Sequence, residues 1–229
     1  MKSSTVAVKP RAVAGQRKKP ARKPRAYHKG NVAQDLLAAA ARILKTERVE
    51  DVSVRRLARE VGVTPANFYN HFPSLDDLLL TLAAENFDKF RLDAQRIIAE
   101  RKSRREAILQ RSFMFVDFAM ANKQVFRIMF GHLPNSIANA RFREASNASF
   151  GQLMHLVYGK DIFDPADLRR SHIQGRAAYA VFAIIYGLAR NIMEDQFQFA
   201  TGSRAEIHQF VEAVMNTLLD GSVAKQLAD

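Results

Sequence analysis

The segment SVRRLAREVGVTPANFYNHF, Ser53 to Phe72, constrains the fold of this chain more than any other. Ser53 is a helix N-cap, and Val54, Leu57, Ala58 and Val61 follow at the i, i+3, i+4, i+7 spacing of one buried stripe. Gly62 falls where a left-handed backbone closes a helix, the position at which a missing Cβ is an advantage. Thr64 caps again, and Pro65 takes the first helical position, where its lost N–H has no partner to forgo. A third helix is expected from Pro65 to about His71. Two short helices joined by a turn of about three residues containing Gly are the pattern of a helix-turn-helix.

The same periodicity extends in both directions. Asn31 caps a first helix whose face is Val32, Leu36, Leu37, Ala40, Ile43 and Leu44, ending near Arg48. After Pro73 and Ser74 a long helix runs from Leu75 to Glu100, with Asp76 and Asp77 in the first turn, where the helix dipole favours acids. Further helices are expected over residues 107–122, 123–132, 136–159, 165–195 and 203–221. The segment at 107–122 is nearly apolar all round and should be central. No strand-type alternation is present. The fold class predicted is all-α: a three-helix head over residues 31–80 and a larger helical domain over 81–229.

Charge is concentrated at one end. Residues 1–30 hold ten of the 35 Lys and Arg and none of the 23 Asp and Glu, so the rest of the chain carries only +2 of the net +12. With Pro10, Pro20 and Pro24 and few large apolar side chains, this tail is expected to be disordered. Such an arm suits a polyanion, most often nucleic acid.

Several classes of function find no support in the residues. There is no Cys, which removes disulfides, thiolate catalysis and Cys-based zinc sites and suits a reducing cytoplasm, where the protein is expected to reside. The six His show no metal-ligand spacing, and no paired carboxylates, nucleophile–base set or Gly-rich phosphate loop argues for an enzyme or a cofactor. The best apolar run, Ala177 to Ala189, has 13 residues, short of the roughly 18 needed to span a membrane.

A helix-turn-helix places its second helix in the major groove. Phe68 and Phe72 take the buried i, i+4 positions of that helix. Asn67 and Asn70 can bond base edges, Pro65 and Ala66 can meet a thymine methyl, and Thr64 and Tyr69 can bond phosphate. Ser53, Arg55 and Arg56, at the start of the preceding helix, are further candidates for contact with DNA.

LLAAAARILKTERVEDVSVRRLAREVGVTPANFYNHFPSLDDLLLTLA resembles the N-terminal DNA-binding domain of the tetracycline-repressor (TetR) family. The resemblance covers about 50 residues and implies phosphate contacts from Tyr69 and His71 and base contacts from Pro65 to Asn67. It implies an all-helical homodimer that binds a palindromic operator in double-stranded DNA as a transcription regulator, a repressor released by a small hydrophobic effector. One departure is Leu75, where many family members carry a phosphate-binding Lys. The tail and Arg55 with Arg56 are the candidates to compensate. A non-specific or architectural DNA-binding protein driven by the basic tail is the alternative.

In the second half, Phe113, Asp117, Phe118, His155, Tyr179 and Tyr186 are candidates for an effector pocket, because aromatic residues between helices suit an apolar ligand. Ala178, Phe182, Ile185, Val211, Met215 and Leu218 on the last two helices are candidates for a four-helix dimer interface.

Overall fold

A computed structural model describes residues 31–221 apart from 101–102, 132, 160–163, 165, 168, 171–174 and 197–201. The basic tail, residues 1–30, lies outside the described residues. Helix is the regular structure among the described residues: α1 Val32–Ile43, a 3-10 turn Val49–Asp51, α2 Val54–Val61, α3 Pro65–Tyr69, α4 Leu75–Glu100, α5 Arg104–Ala121, α6 Lys123–Phe130, α7 Ala140–Tyr158, α8 Arg176–Met193 and α9 Arg204–Leu219.

The local signals act where they stand. Ser53, Thr64, Ser103, Asn139 and Ser203 each accept a hydrogen bond from the backbone N–H three residues on. Ser203 and Glu206 complete a capping box. Gly62 has φ +82°, the left-handed value, and its N–H and that of Val63 both reach the Ala58 carbonyl at 2.9 Å.

Two boundaries differ from the periodic pattern. α1 ends at Ile43, and residues 44–47 turn, so that Val52 can reach the core at 5% exposure. α7 starts at Ala140 rather than near Ser136, because the Asn139 side chain caps it by accepting from Phe142 N at 2.9 Å. α8 starts at Arg176, with Gly175 at its N-cap, and the expected start at Pro165 lies outside the described residues.

α4 joins head and body. Its 26 residues pack on α1 of the head and on α5, α6 and α7 of the body. α5 in turn packs on α8 and α9. Between α4, α5, α6 and α8 lies a phenylalanine cluster, with ring centroids 5.4 Å apart for Phe87–Phe130, 5.6 Å for Phe90–Phe115 and 6.0 Å for Phe130–Phe182. These separations are those at which aromatic pairs attract beyond simple burial. Among the described residues no helix is long and apolar enough to cross a membrane.

Candidate nucleic-acid interface and interior cavity

The head is a rigid mount for α3. Phe68 is fully buried, Phe72 is nearly so, and their rings lie 5.9 Å apart beneath the helix. Leu57 and Ala58 of α2 are buried in the same core as α1. With its inner face held in this way, α3 turns its other side to solvent. Thr64, Pro65, Ala66, Tyr69, Asn70 and His71 are all exposed, as are Ser53 and Arg55 at the start of α2. Tyr69, at 57%, is one of the most exposed large side chains. Asn67 is half-buried, and its Oδ1 is shielded from solvent without a hydrogen-bond partner.

Arg56 stands apart from this surface. It is half-buried and forms a fork with Glu47 from the α1–α2 connection: Nη2 donates to Oε1 at 2.5 Å and Nη1 donates to Oε2. The hydrogen bonds from Arg56 hold the Glu47 carboxyl below its ordinary range, and the same bonds raise the guanidinium. Arg56, expected at the nucleic acid, is therefore engaged in tying α2 to the preceding turn. Arg55, one position further round the helix, has no acidic partner among the described residues. Leu75, the first residue of α4, is half-buried against the core.

Head and body are joined by polar links as well as by α4. Lys45 Nζ donates to Asn122 Oδ1 at 2.5 Å, and Val49 N donates to Gln124 Oε1 at 3.3 Å, both at the α5–α6 junction. Asn139 Nδ2 donates to Asp77 Oδ1 at 3.2 Å, which connects the starts of α7 and α4.

The body encloses a narrow cavity, about 50 Å³ as traced by the centre of a water-sized sphere. Its walls are Phe87, Phe90, Phe115, Phe130, Phe150, Leu153, Phe182 and Ile185, and its polar lining is Arg111, Ser146 and Ser149. Arg111 is 6% exposed. Its Nη2 donates to the Ser149 carbonyl at 3.2 Å, while its Nη1 is buried without a partner. Burial pushes this guanidinium down to about 10. It remains charged at neutral pH.

None of the six candidate pocket residues lines this cavity. Phe113 stacks on His208 at 4.5 Å, and Asp117 accepts from Arg204 at 2.5 Å and faces His208 Nε2 at 2.9 Å, so both tie α5 to α9. The reason is helical geometry: residues 113 and 117 lie about 200° round α5 from 111 and 115. Burial alone would raise the Asp117 carboxyl, but the hydrogen bonds from Arg204 and His208 bring it below its ordinary value. Phe118, Tyr179 and Tyr186 stand behind the wall, packed on Phe90 at 4.7 Å, Phe150 at 4.6 Å and Phe182 at 5.8 Å. Burial raises the Tyr179 hydroxyl. His155 lies on a separate, open depression beside Arg91 and Gln152. Arg111 is the polar residue that sequence reasoning missed. Its signal was the same as that of Asp117, a lone charge in an apolar helix.

The candidate interface residues on the last two helices also divide. Ala178, Ile185, Val211 and Met215 are 0–3% exposed within the single chain, and Phe182 and Ile185 line the cavity. The first four side chains are already covered by their own protomer, and Phe182 is half-buried. Leu218 is half-exposed. The faces of these helices that remain open carry Ala180, Ile184 and Gly187 on α8 and Val214, Thr217 and Leu218 on α9. A Cβ placed on Gly187 would meet nothing within 4 Å.

The sequence model of the tetR family of bacterial regulatory proteins matches residues 36–82, from α1 through α3 into α4. A protein with unknown function from Rhodococcus sp. RHA1 shares the fold at a TM-score of 0.67 and 27% identity, covering 87% of this chain and 98% of that one. A TetR transcriptional regulator from Rhodococcus sp. RHA1 matches at a TM-score of 0.58 and 13% identity, over 84% of this chain and 98% of that one. The transcriptional regulator FadR from Bacillus subtilis, solved in complex with stearoyl-CoA, matches at 0.56 and 15%, over 78% of this chain and 96% of that one. The helix-turn-helix head, residues 36–82, thus matches the DNA-binding domain of the tetR family of bacterial regulatory proteins, and it makes this chain a DNA-binding transcription regulator of the TetR type.

Proposed function

We propose that the protein is a homodimeric repressor that reads a palindromic operator with α3 and releases it when a small apolar ligand occupies the body. The observation that carries this reading is the outer face of α3: six exposed residues, neutral or weakly basic, on a helix whose inner face is locked by Phe68 and Phe72. Asn70 has the donor–acceptor pair that reads adenine, and Ala66 and Pro65 offer apolar contact to a thymine methyl. Tyr69, His71, Thr64 and Arg55 are placed to bond phosphates and set the register. The tail of residues 1–30 would add sequence-independent attraction.

Two features support the dimer and the ligand. The stripe of Ala180, Ile184 and Gly187 on α8 with Val214, Thr217 and Leu218 on α9 holds small and apolar residues, the composition a four-helix bundle about a two-fold axis requires. A ligand between α4, α5, α7 and α8 would bear on α5 and α6, whose junction bonds Lys45 and Val49 of the head. A coupling of about 1–3 kcal/mol through this route would change operator occupancy by about 5- to 150-fold. The FadR fold accommodates stearoyl-CoA in that protein, so the architecture is compatible with a bound small molecule.

Selection of bound fragments from random duplex DNA tests the reading. The expected product is a palindrome whose half-sites lie about one helical turn, roughly 34–36 Å, or a multiple of it apart. Binding without sequence preference that disappears when residues 1–26 are deleted would overturn it in favour of a tail-driven, non-specific DNA-binding protein.

A further inference from the structure

We infer that the cavity between α4, α5, α7 and α8 binds a slim monocarboxylate, with its carboxylate on the Nη1 edge of Arg111 and its apolar body among the phenylalanines. The inference rests on the reading that the body binds an effector, and it names the chemical class of that effector.

A buried charge needs a partner, because desolvation without pairing is expensive. Arg111 has one hydrogen bond, to the Ser149 carbonyl, and no carboxylate pairs with it among the described residues. Its Nη1 is shielded from solvent and unbonded. A core arginine that served packing alone would be better replaced by Leu or Met. The arrangement becomes favourable when an anion completes the guanidinium, since a planar carboxylate accepts from its donors with charge-assisted bonds.

The surroundings narrow the class. Of the two serines that line the cavity, Ser146 donates its Oγ to the Arg143 carbonyl at 3.1 Å, and Ser149 accepts from Arg111 through its backbone carbonyl. Among the described residues Arg111 is the one cation lining the cavity, which matches a single negative charge rather than a phosphate dianion. The rest of the lining is mostly aromatic, and Phe115 and Phe182 meet edge to face within it, with centroids 6.3 Å apart. The narrow volume favours a flat ring or a short alkyl chain over a bulky body.

Four probes test this on the full chain: benzoate and hexanoate, with benzamide and hexanamide as neutral partners of the same shape. Thermal melts and titration calorimetry on the wild type should show both acids bound and stabilising, and the amides far weaker. Arg111→Met should fold with an unchanged or higher midpoint and bind the acids about 10- to 100-fold more weakly, erasing their advantage over the amides. Equal shifts from acid and amide in the wild type, an advantage that persists in Arg111→Met, or no shift from either acid up to millimolar concentration would overturn the assignment. The acid–amide comparison in the wild type decides the matter even if the variant fails to fold. Operator binding measured on the same samples keeps the two readings separate. Acid-selective binding without operator release supports the carboxylate site and removes the effector role, whereas operator release by acids and amides alike does the reverse.

Discussion

Arg55 and Arg56 are adjacent, chemically identical and differently employed. A rotation of about 100° along α2 separates them. Arg55 meets solvent, and Arg56 meets Glu47. Charge alone therefore does not identify a phosphate contact; the presence or absence of an acidic neighbour does. Arg55→Ala should weaken binding to specific and non-specific duplex alike and reduce the salt slope by about 0.9 for one lost phosphate contact, with the thermal midpoint in place. Arg56→Ala should instead lower the midpoint. Because Arg56 depresses the Glu47 carboxyl, that contribution is present above the unfolded-state value and is lost as pH falls through the folded one. The gap between wild type and Arg56→Ala in denaturant melts should narrow progressively as the pH falls below the ordinary carboxylate range. Melting curves and DNA titrations of the pair at several salt concentrations would expose any exchange of these roles.

At the scale of the element, α5 carries two kinds of chemistry on two faces. One face holds Arg111 and Phe115 towards the cavity, and the other holds Phe113 and Asp117 towards α9. Asp117 is the clamp of the second face, since Arg204 and His208 both converge on it. Its carboxyl is held low, so the stabilisation is fully present at neutral pH and fades as pH falls through its folded value. Asp117→Asn should be less stable than wild type at pH 7, by a margin that shrinks as acid takes the pH below the ordinary carboxylate range, while the acid–amide preference of the cavity is unchanged. A loss of ligand selectivity in Asp117→Asn would show that the two faces of α5 are not independent.

The whole molecule is a head and a body sharing one long helix, with the proposed partner surface on the side of α8 and α9 that the protomer leaves open. In a two-fold interface each residue lies near its own mate, so one new charge becomes two. Ile184→Glu or Val214→Asp should give a monomer by light scattering, with helical circular dichroism retained and operator affinity sharply reduced. The same substitutions leave Phe182 and Ile185 at the cavity untouched. A dimer of unchanged strength in both variants would place the interface elsewhere.

The head was legible in the sequence because its determinants are local. Ser53, Gly62, Thr64 and Pro65 each act on backbone within four residues, and the stripe Val54, Leu57, Ala58 and Val61 has one polar side and therefore one way to face. α8 has no such asymmetry. Ala177 to Ala189 is apolar on every side, so periodicity does not distinguish the face of Phe182 and Ile185, which turns inward, from that of Ala180 and Ile184, which turns out. The cavity is less local still, since Phe87, Arg111, Ser149 and Phe182 stand on four helices. By itself the sequence determined the helices, their caps and the DNA-reading turn, all set within a few residues by hydrogen bonding and steric preference. Only the tertiary structure decided which apolar faces were spent inside the chain, that Arg56 had a partner and that Arg111 lacked one, because each depends on what a distant segment brings against it.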